Sequence, residues 1–326
     1  LQELELPSSG DVTVNDAFKP LSRYFDRVWR PEQLPAALLG AMRVLTDPVE
    51  TGAATVALPQ DVQAESFDWP VSLFAERTWH IARPQPERAV IAKAADVIRS
   101  ATKPLIVAGG GVIYSGASEA LARFVANSGI PVCETQAGKG SLLHEDPRSV
   151  GAVGSTGTTA ANALASEADV IIGIGTRYSD FTSASRTAFN NPDVRFVNIN
   201  VASLDSVKQG GISVVSDARE ALEALTDLLG DYSVSDEYSR RAGELMTEWN
   251  DTVSEAYRTE DGAALNQNQV IGLVNTLSDP RDIVVCAAGS MPGDLHKLWR
   301  MRDRKGYHVE YGFSCMGYEI AGGIGV

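Results

Sequence analysis

Three cysteines in 326 residues are too few, and too scattered, to build a covalent framework. Cys133, Cys286 and Cys315 show no pairing spacing and their number is odd, which excludes a disulfide scaffold and a cysteine zinc site. Cys133 and Cys286 sit in apolar runs and read as buried thiols. The four histidines, His80, His144, His296 and His308, stand apart, without the spacing of a metal site. Positive charge is in deficit: 28 Lys and Arg face 42 Asp and Glu, a net charge of −14. That balance excludes nucleic acid or an anionic membrane surface as partner of the whole chain. The one dense basic run, residues 299–305 (W-R-M-R-D-R-K), is short and reads as a solvated helix end. No apolar run is long enough for a membrane helix, and no signal peptide or lipidation motif is visible. The expected compartment is the reducing cytoplasm. Signatures of nucleophilic, ATP-binding and zinc enzymes are missing too: there is no G-x-S-x-G, no Walker A and no H-E-x-x-H.

What is present is an ordinary globular composition, 44% apolar and 21% charged. At roughly 150 residues per domain the length allows two or three domains. Residues 11–20 alternate briefly like a strand, and residues 31–45 carry the apolar spacing of a helix with proline in its first turn. Residues 53–58 (A-A-T-V-A-L) read as a short buried strand closed by Pro59. Residues 1–70 are therefore expected to be part of an α/β domain, followed by a proline-rich linker over 71–86. Residues 87–230 alternate strand and helix: strands at 104–108, 130–133, 168–174, 195–199 and 212–215, helices at 88–100, 117–128 and 219–229. This predicts a complete doubly wound parallel sheet. Residues 231–265 read as a connecting helix, and 266–326 as the start of a further α/β domain. In that last part the spacing predicts a helix over 267–277 with Val270, Leu273, Val274 and Leu277 on its apolar face.

Glycine turns at strand ends are the candidate ligand sites, because they let a backbone approach a ligand and aim free N–H groups at it. Gly109-Gly110-Gly111 follows the 104–108 strand. Its spacing departs from G-x-G-x-x-G, so it reads either as a phosphate cradle or as a tight turn. The turns at 154–159 and 173–178 are equally open. Ala288-Gly289-Ser290-Met291 follows the 282–287 strand, and Ser314-Cys315-Met316-Gly317 follows the 307–309 strand. Two such turns on adjacent strands would face one crevice. The final stretch, 311–326, holds five glycines and stops on an apolar residue inside a predicted helix, as at a cut boundary.

Three segments carry a resemblance. Residues 54–63 (A-T-V-A-L-P-Q-D-V-Q), 103–112 (K-P-L-I-V-A-G-G-G-V) and 314–325 (S-C-M-G-Y-E-I-A-G-G-I-G) are similar to thiamine-diphosphate-dependent enzymes of the acetohydroxyacid synthase and pyruvate oxidase group. Residues 14–28, 288–299 and 307–320 resemble, within it, the branch that hydrolyses a C–C bond of a cyclic polyol dione. Glu319-Ile320-Ala321-Gly322 stands where most of the group has a proline and two alanines, a departure that fits this branch. The resemblance implies a Rossmann-like central domain between parts of a pyrimidine-binding and a diphosphate-binding domain. It also implies thiamine diphosphate and Mg2+ as cofactors and a homodimer or homotetramer. It places Gly289, Ser290 and Met291 near the diphosphate. Ser314, Cys315, Met316 and Gly317 fall around the aminopyrimidine, with Met316 under the ring and the Ser314 carbonyl toward it. The activating glutamate is expected upstream of Leu1 and the metal ligands downstream of Val326, so no catalytic or metal residue is assigned and the chain alone is expected to be inactive. Two other readings stay open: an acetolactate-synthase-like enzyme with FAD in the central domain, or a central domain that is only a spacer.

Overall fold

The computed structural model describes residues 3–6, 9–310, 312–313 and 315–326. Its contacts divide the chain into two units, 1–83 and 84–326.

In the first unit β1 (Glu3–Leu6) and β2 (Ser9–Thr13) form an antiparallel hairpin. A 3-10 helix over Val14–Leu21 follows, where sequence alternation suggested a strand running on to the Lys19-Pro20 turn. β3 (Tyr24–Arg27), α1 (Leu34–Leu45) and β4 (Ala54–Ala57) then make a strand–helix–strand unit in which β3 and β4 pair in parallel. The short α2 (Gln60–Gln63) packs Val62 with Val28 and Ala37 in a small core. β3 is hard to see in sequence because Y-F-D-R is half polar and none of its side chains is fully buried.

The second unit opens with α3 (Arg88–Arg99), β5 (Pro104–Ala108), α4 (Gly110–Tyr114), α5 (Ser118–Ser128), β6 (Val132–Glu134) and β7 (Ser149–Ala152). α6 (Thr159–Glu167), β8 (Val170–Ile174), α7 (Asp180–Ser183), β9 (Arg195–Asn200), α8 (Ser203–Ser206), β10 (Ile212–Val215) and α9 (Ala218–Leu229) follow. Six strands form one sheet in the order β10-β9-β8-β5-β6-β7, parallel throughout. This is the predicted α/β doubly wound architecture. β5 and β8 read P-L-I-V-A and V-I-I-G-I, and every one of these residues is buried, as a parallel sheet covered on both faces requires. The chain reverses its order at the β5–β8 pair, the place where such sheets open a crevice. There the helix begins one residue after Gly109. The Gly111 amide already donates to Gly175 O at 3.0 Å, which takes it from any phosphate.

The rest of the unit comprises α10 (Asp236–Tyr257), α11 (Gln267–Leu277), β11 (Val284–Cys286), α12 (Ser290–Leu298), β12 (Tyr307–Val309) and α13 (Tyr318–Gly325). Although rich in charge, α10 buries Tyr238, Ala242, Leu245, Trp249 and Val253, one stripe at helical spacing. The predicted helix α11 forms with the expected bounds, but its apolar face is not the buried one. The buried residues are Ile271, Gly272 and Asn275, whereas Val270, Leu273, Val274 and Leu277 are exposed. The inward face is set by two contacts that periodicity ignores, one polar and one steric. Asn275 holds Arg300 by both its amide oxygen and nitrogen, and Gly272 accommodates the Tyr257 ring.

Candidate functional site

β11 and β12 pair in parallel, Val284 opposite Tyr307 and Cys286 opposite Val309. The turns that leave them therefore start from the same end of the pair. After β11 the chain reaches Gly289 at φ 107°, ψ −165°, a conformation confined to glycine, with open space where a Cβ would stand. α12 starts at the next residue, so Ser290 and Met291 form its exposed first turn. After β12, Glu310 accepts hydrogen bonds from the amides of Phe313 (3.1 Å) and Cys315 (3.0 Å), which lower its pKa. Gly317, at φ 93°, then caps α13, and its amide donates to Glu319. Met316 is 83% exposed and Cys315 is exposed as well. Ser314 lies outside the described residues.

Gly289, Ser290, Met291, Cys315, Met316 and Gly317 thus sit on two turns that follow neighbouring strands. Their features fit a flat, anionic, partly apolar cofactor: an open glycine cradle at a helix start and an exposed thioether side chain. Magnesium is a different matter. Among the described residues no group of three or more His, Cys, Asp and Glu side chains comes together as a metal site.

Sequence reasoning missed a buried polar network that α12 shares with the loop after β6. Lys139 Nζ donates to His296 O at 2.8 Å, and Gln136 Nε2 donates to Pro292 O at 3.1 Å. Tyr307 Oη donates to Gln136 Oε1 at 2.8 Å, and Thr156 Oγ1 pairs with His296 Nδ1 at 2.8 Å. The Lys139 ammonium lies 5.7 Å from the Tyr307 ring centre, a cation–π contact. Glu134 accepts from the amides of Gly140 and Leu142, each at 3.2 Å. Burial pushes the Glu134 carboxyl up and the Lys139 ammonium down, each offset in part by the other's charge. Burial also takes His296 down to about 3 and His144 to about 4, so both are neutral at pH 7. Nothing in A-G-K-G-S distinguishes Lys139 from a solvated loop lysine, so no sequence signal could have found it.

Beside this network Glu134, Lys139, His144, Asn250 and Arg300 line a cavity of about 30 Å3. That is room for no more than a few water molecules.

Comparison with known proteins agrees with the fold of residues 91–225. Residues 91–225 match the family described as thiamine pyrophosphate enzyme, central domain. Over these residues the chain is similar to the central domain of thiamine pyrophosphate enzymes. Along its whole length it is 45% identical to the 3D-(3,5/4)-trihydroxycyclohexane-1,2-dione hydrolase of Geobacillus thermodenitrificans, covering 54% of that protein. Proteins of the same name from Bacillus anthracis and Clostridium tetani are each 42% identical, again over all of this chain and 54% of theirs. The chain thus spans about half the length of the curated relatives it matches. Among the described residues no helix is long and apolar enough to cross a membrane.

Proposed function

We propose that the chain is part of a thiamine-diphosphate-dependent hydrolase acting on 3D-trihydroxycyclohexane-1,2-dione. The reaction opens the ring by breaking a C–C bond with addition of water and gives 5-deoxy-glucuronate, a step of inositol catabolism. The observation that carries this reading is the 45% identity over the full chain to a protein of that name. The paired glycine turns after β11 and β12 support it, since they carry the residues that the resemblance assigns to the cofactor.

When bound, thiamine diphosphate supplies the electron sink that C–C cleavage next to a carbonyl requires. The residues of this chain bind and orient. The first turn of α12, Gly289 to Met291, offers N–H groups and the Ser290 hydroxyl to the diphosphate. Met316 offers an apolar support under the cofactor ring, a task suited to an adaptable unbranched side chain. Cys315 and Gly317 flank it, with Ser314 contributing its carbonyl. Mg2+, the activating glutamate and the metal ligands belong to parts of the site that these residues do not supply. We expect the chain alone to be inactive, and the complete enzyme to be a cytoplasmic homodimer or homotetramer with active sites between subunits.

The test is to incubate the full-length protein with the dione, thiamine diphosphate and Mg2+ and follow ring opening by NMR. Formation of the open-chain acid only when cofactor is present is the expected result. Absence of turnover, with pyruvate condensed instead by a yellow flavin-containing protein, would replace this reading with an acetolactate synthase. This chain by itself should bind thiamine diphosphate weakly or not at all in calorimetric titration. Micromolar binding with one metal ion would overturn the assignment of the missing groups.

A further inference from the structure

We propose that Gln136 and Lys139, in the loop after β6, are positioning residues for thiamine diphosphate: they grip α12 by carbonyls at two successive turns and thereby fix the direction of the Gly289–Met291 turn. The proposal rests on the cofactor reading of that turn. α12 has nine residues, Ser290–Leu298, and its axis decides where the N–H groups of its first turn point. The last four carbonyls of a helix lack partners within it. His296 O is one of these, and Lys139 Nζ fills it at 2.8 Å. A cation at this end also complements the negative pole of the helix. Toward the other end Pro292 O receives Gln136 Nε2 at 3.1 Å.

The gripping side chains are themselves fixed. Gln136 Oε1 accepts from Tyr307 Oη at 2.8 Å, so both ends of its amide are engaged and its orientation is set. Lys139 is only 6% exposed, Gln136 7% and His296 1%. The buried Glu134 carboxyl offsets the burial of the Lys139 ammonium only in part, without a direct ion pair among the described residues, and a backbone carbonyl and a tyrosine ring face it. An ammonium buried at such cost serves a geometric end that a packed leucine would not. Tyr307 belongs to β12, so the same contacts couple the strand that leads to the Met316 turn. The central sheet is thus the rigid base from which both cofactor turns are aimed. This gives the central domain a part in cofactor orientation, where a spacer would need none of these bonds.

The experiment uses the full-length enzyme and its Lys139→Met and Gln136→Leu variants, which keep volume and remove the donors. Dissociation constants for thiamine diphosphate and thiamine monophosphate are measured by calorimetry, and the urea midpoint of each apoprotein is recorded. Each variant should bind thiamine diphosphate about tenfold more weakly and thiamine monophosphate within about twofold of wild type, the size of effect typical when a supporting contact is lost. Lys139→Arg should restore most of the loss. Unchanged diphosphate affinity with a lowered urea midpoint would make the contacts a brace only and overturn the proposal. If Lys139→Met does not fold, Gln136→Leu alone decides by the same two ligands. A wild-type enzyme that binds neither thiamine ester would instead sink the cofactor reading on which this inference stands.

Discussion

Gly111 and Gly175 meet backbone to backbone: the Gly111 amide donates to Gly175 O at 3.0 Å, across the β5–β8 pair where the sheet reverses its order. A Cβ on Gly109 would stand 2.3 Å from Gly175 O, and one on Gly111 2.6 Å from Gly175 Cα. Neither neighbour is a flexible side chain that can give way. Gly109→Ala should therefore destabilise by about 3 kcal/mol or more, at the upper end of overpacking costs. Gly116, at φ 64° but with no atom near its Cβ position, should lose only about 1 kcal/mol as alanine. Urea unfolding of the two variants measures the contrast, and similar losses would refute the close-approach reading.

The centre of the sheet was legible because its two middle strands are uniformly apolar. β5 and β8 announce themselves as five-residue buried runs, and Asp217 and Gly230 mark the ends of α9. β7 and α6 were not legible. S-V-G-A and T-A-A-N-A-L-A-S-E bury small residues whose burial leaves little trace in hydropathy. The glycine turns after β11 and β12 could be read from sequence, since Gly289 and Gly317 there meet a backbone requirement. Lys139 and Gln136 could not, because their meaning lies in contacts 156 or more residues away.

Thr158 caps α6 from inside the core. Its hydroxyl accepts from the Ala161 amide and donates to Val150 O, both at 2.9 Å, and the residue is fully buried. Thr158→Val removes the cap and leaves the Val150 carbonyl without this donor, for a loss of about 2 kcal/mol. Thr158→Ser keeps both bonds and should lose less than half of that. Thermal and urea unfolding of the pair would check the ranking, and a serine variant as unstable as the valine one would contradict it.

Acid should weaken the second unit through His296. Its pKa, about 3, lies below the ordinary histidine value of 6.5 because the ring is buried. The unfolded chain binds this proton first, so the contribution is whole above pH 6.5 and falls as pH drops toward 3. Within that window a single such group costs about 1.4 kcal/mol per pH unit. Glu134 works in the opposite direction, since burial raises its pKa, and only a difference between variants isolates the histidine. The stability gap between wild type and His296→Asn should shrink by this slope from pH 6 to pH 4. A gap independent of pH in urea titrations would show that His296 is not held neutral.

The exposed stripe on α11 gives the sharpest separation between a sequence pattern and its structural use. Val270, Leu273, Val274 and Leu277 recur at helical spacing, yet Leu277 is 80% and Val274 51% exposed. The residue one step round the helix, Ile271, is 3% exposed and joins the main core. If burial, not periodicity, sets the energy, the Val274→Glu, Leu277→Lys double variant should change the stability of this chain by no more than about 0.5 kcal/mol. Ile271→Ala should cost about 2–4 kcal/mol, the range for a buried large-to-small change. The pair added at 274 and 277 also lies near the right spacing for an ion pair on the helix surface, which adds at most a few tenths of a kcal/mol. Urea midpoints of the three proteins at one pH give the answer. A double variant as damaged as Ile271→Ala would mean that the stripe is buried in solution and that α11 sits the other way round.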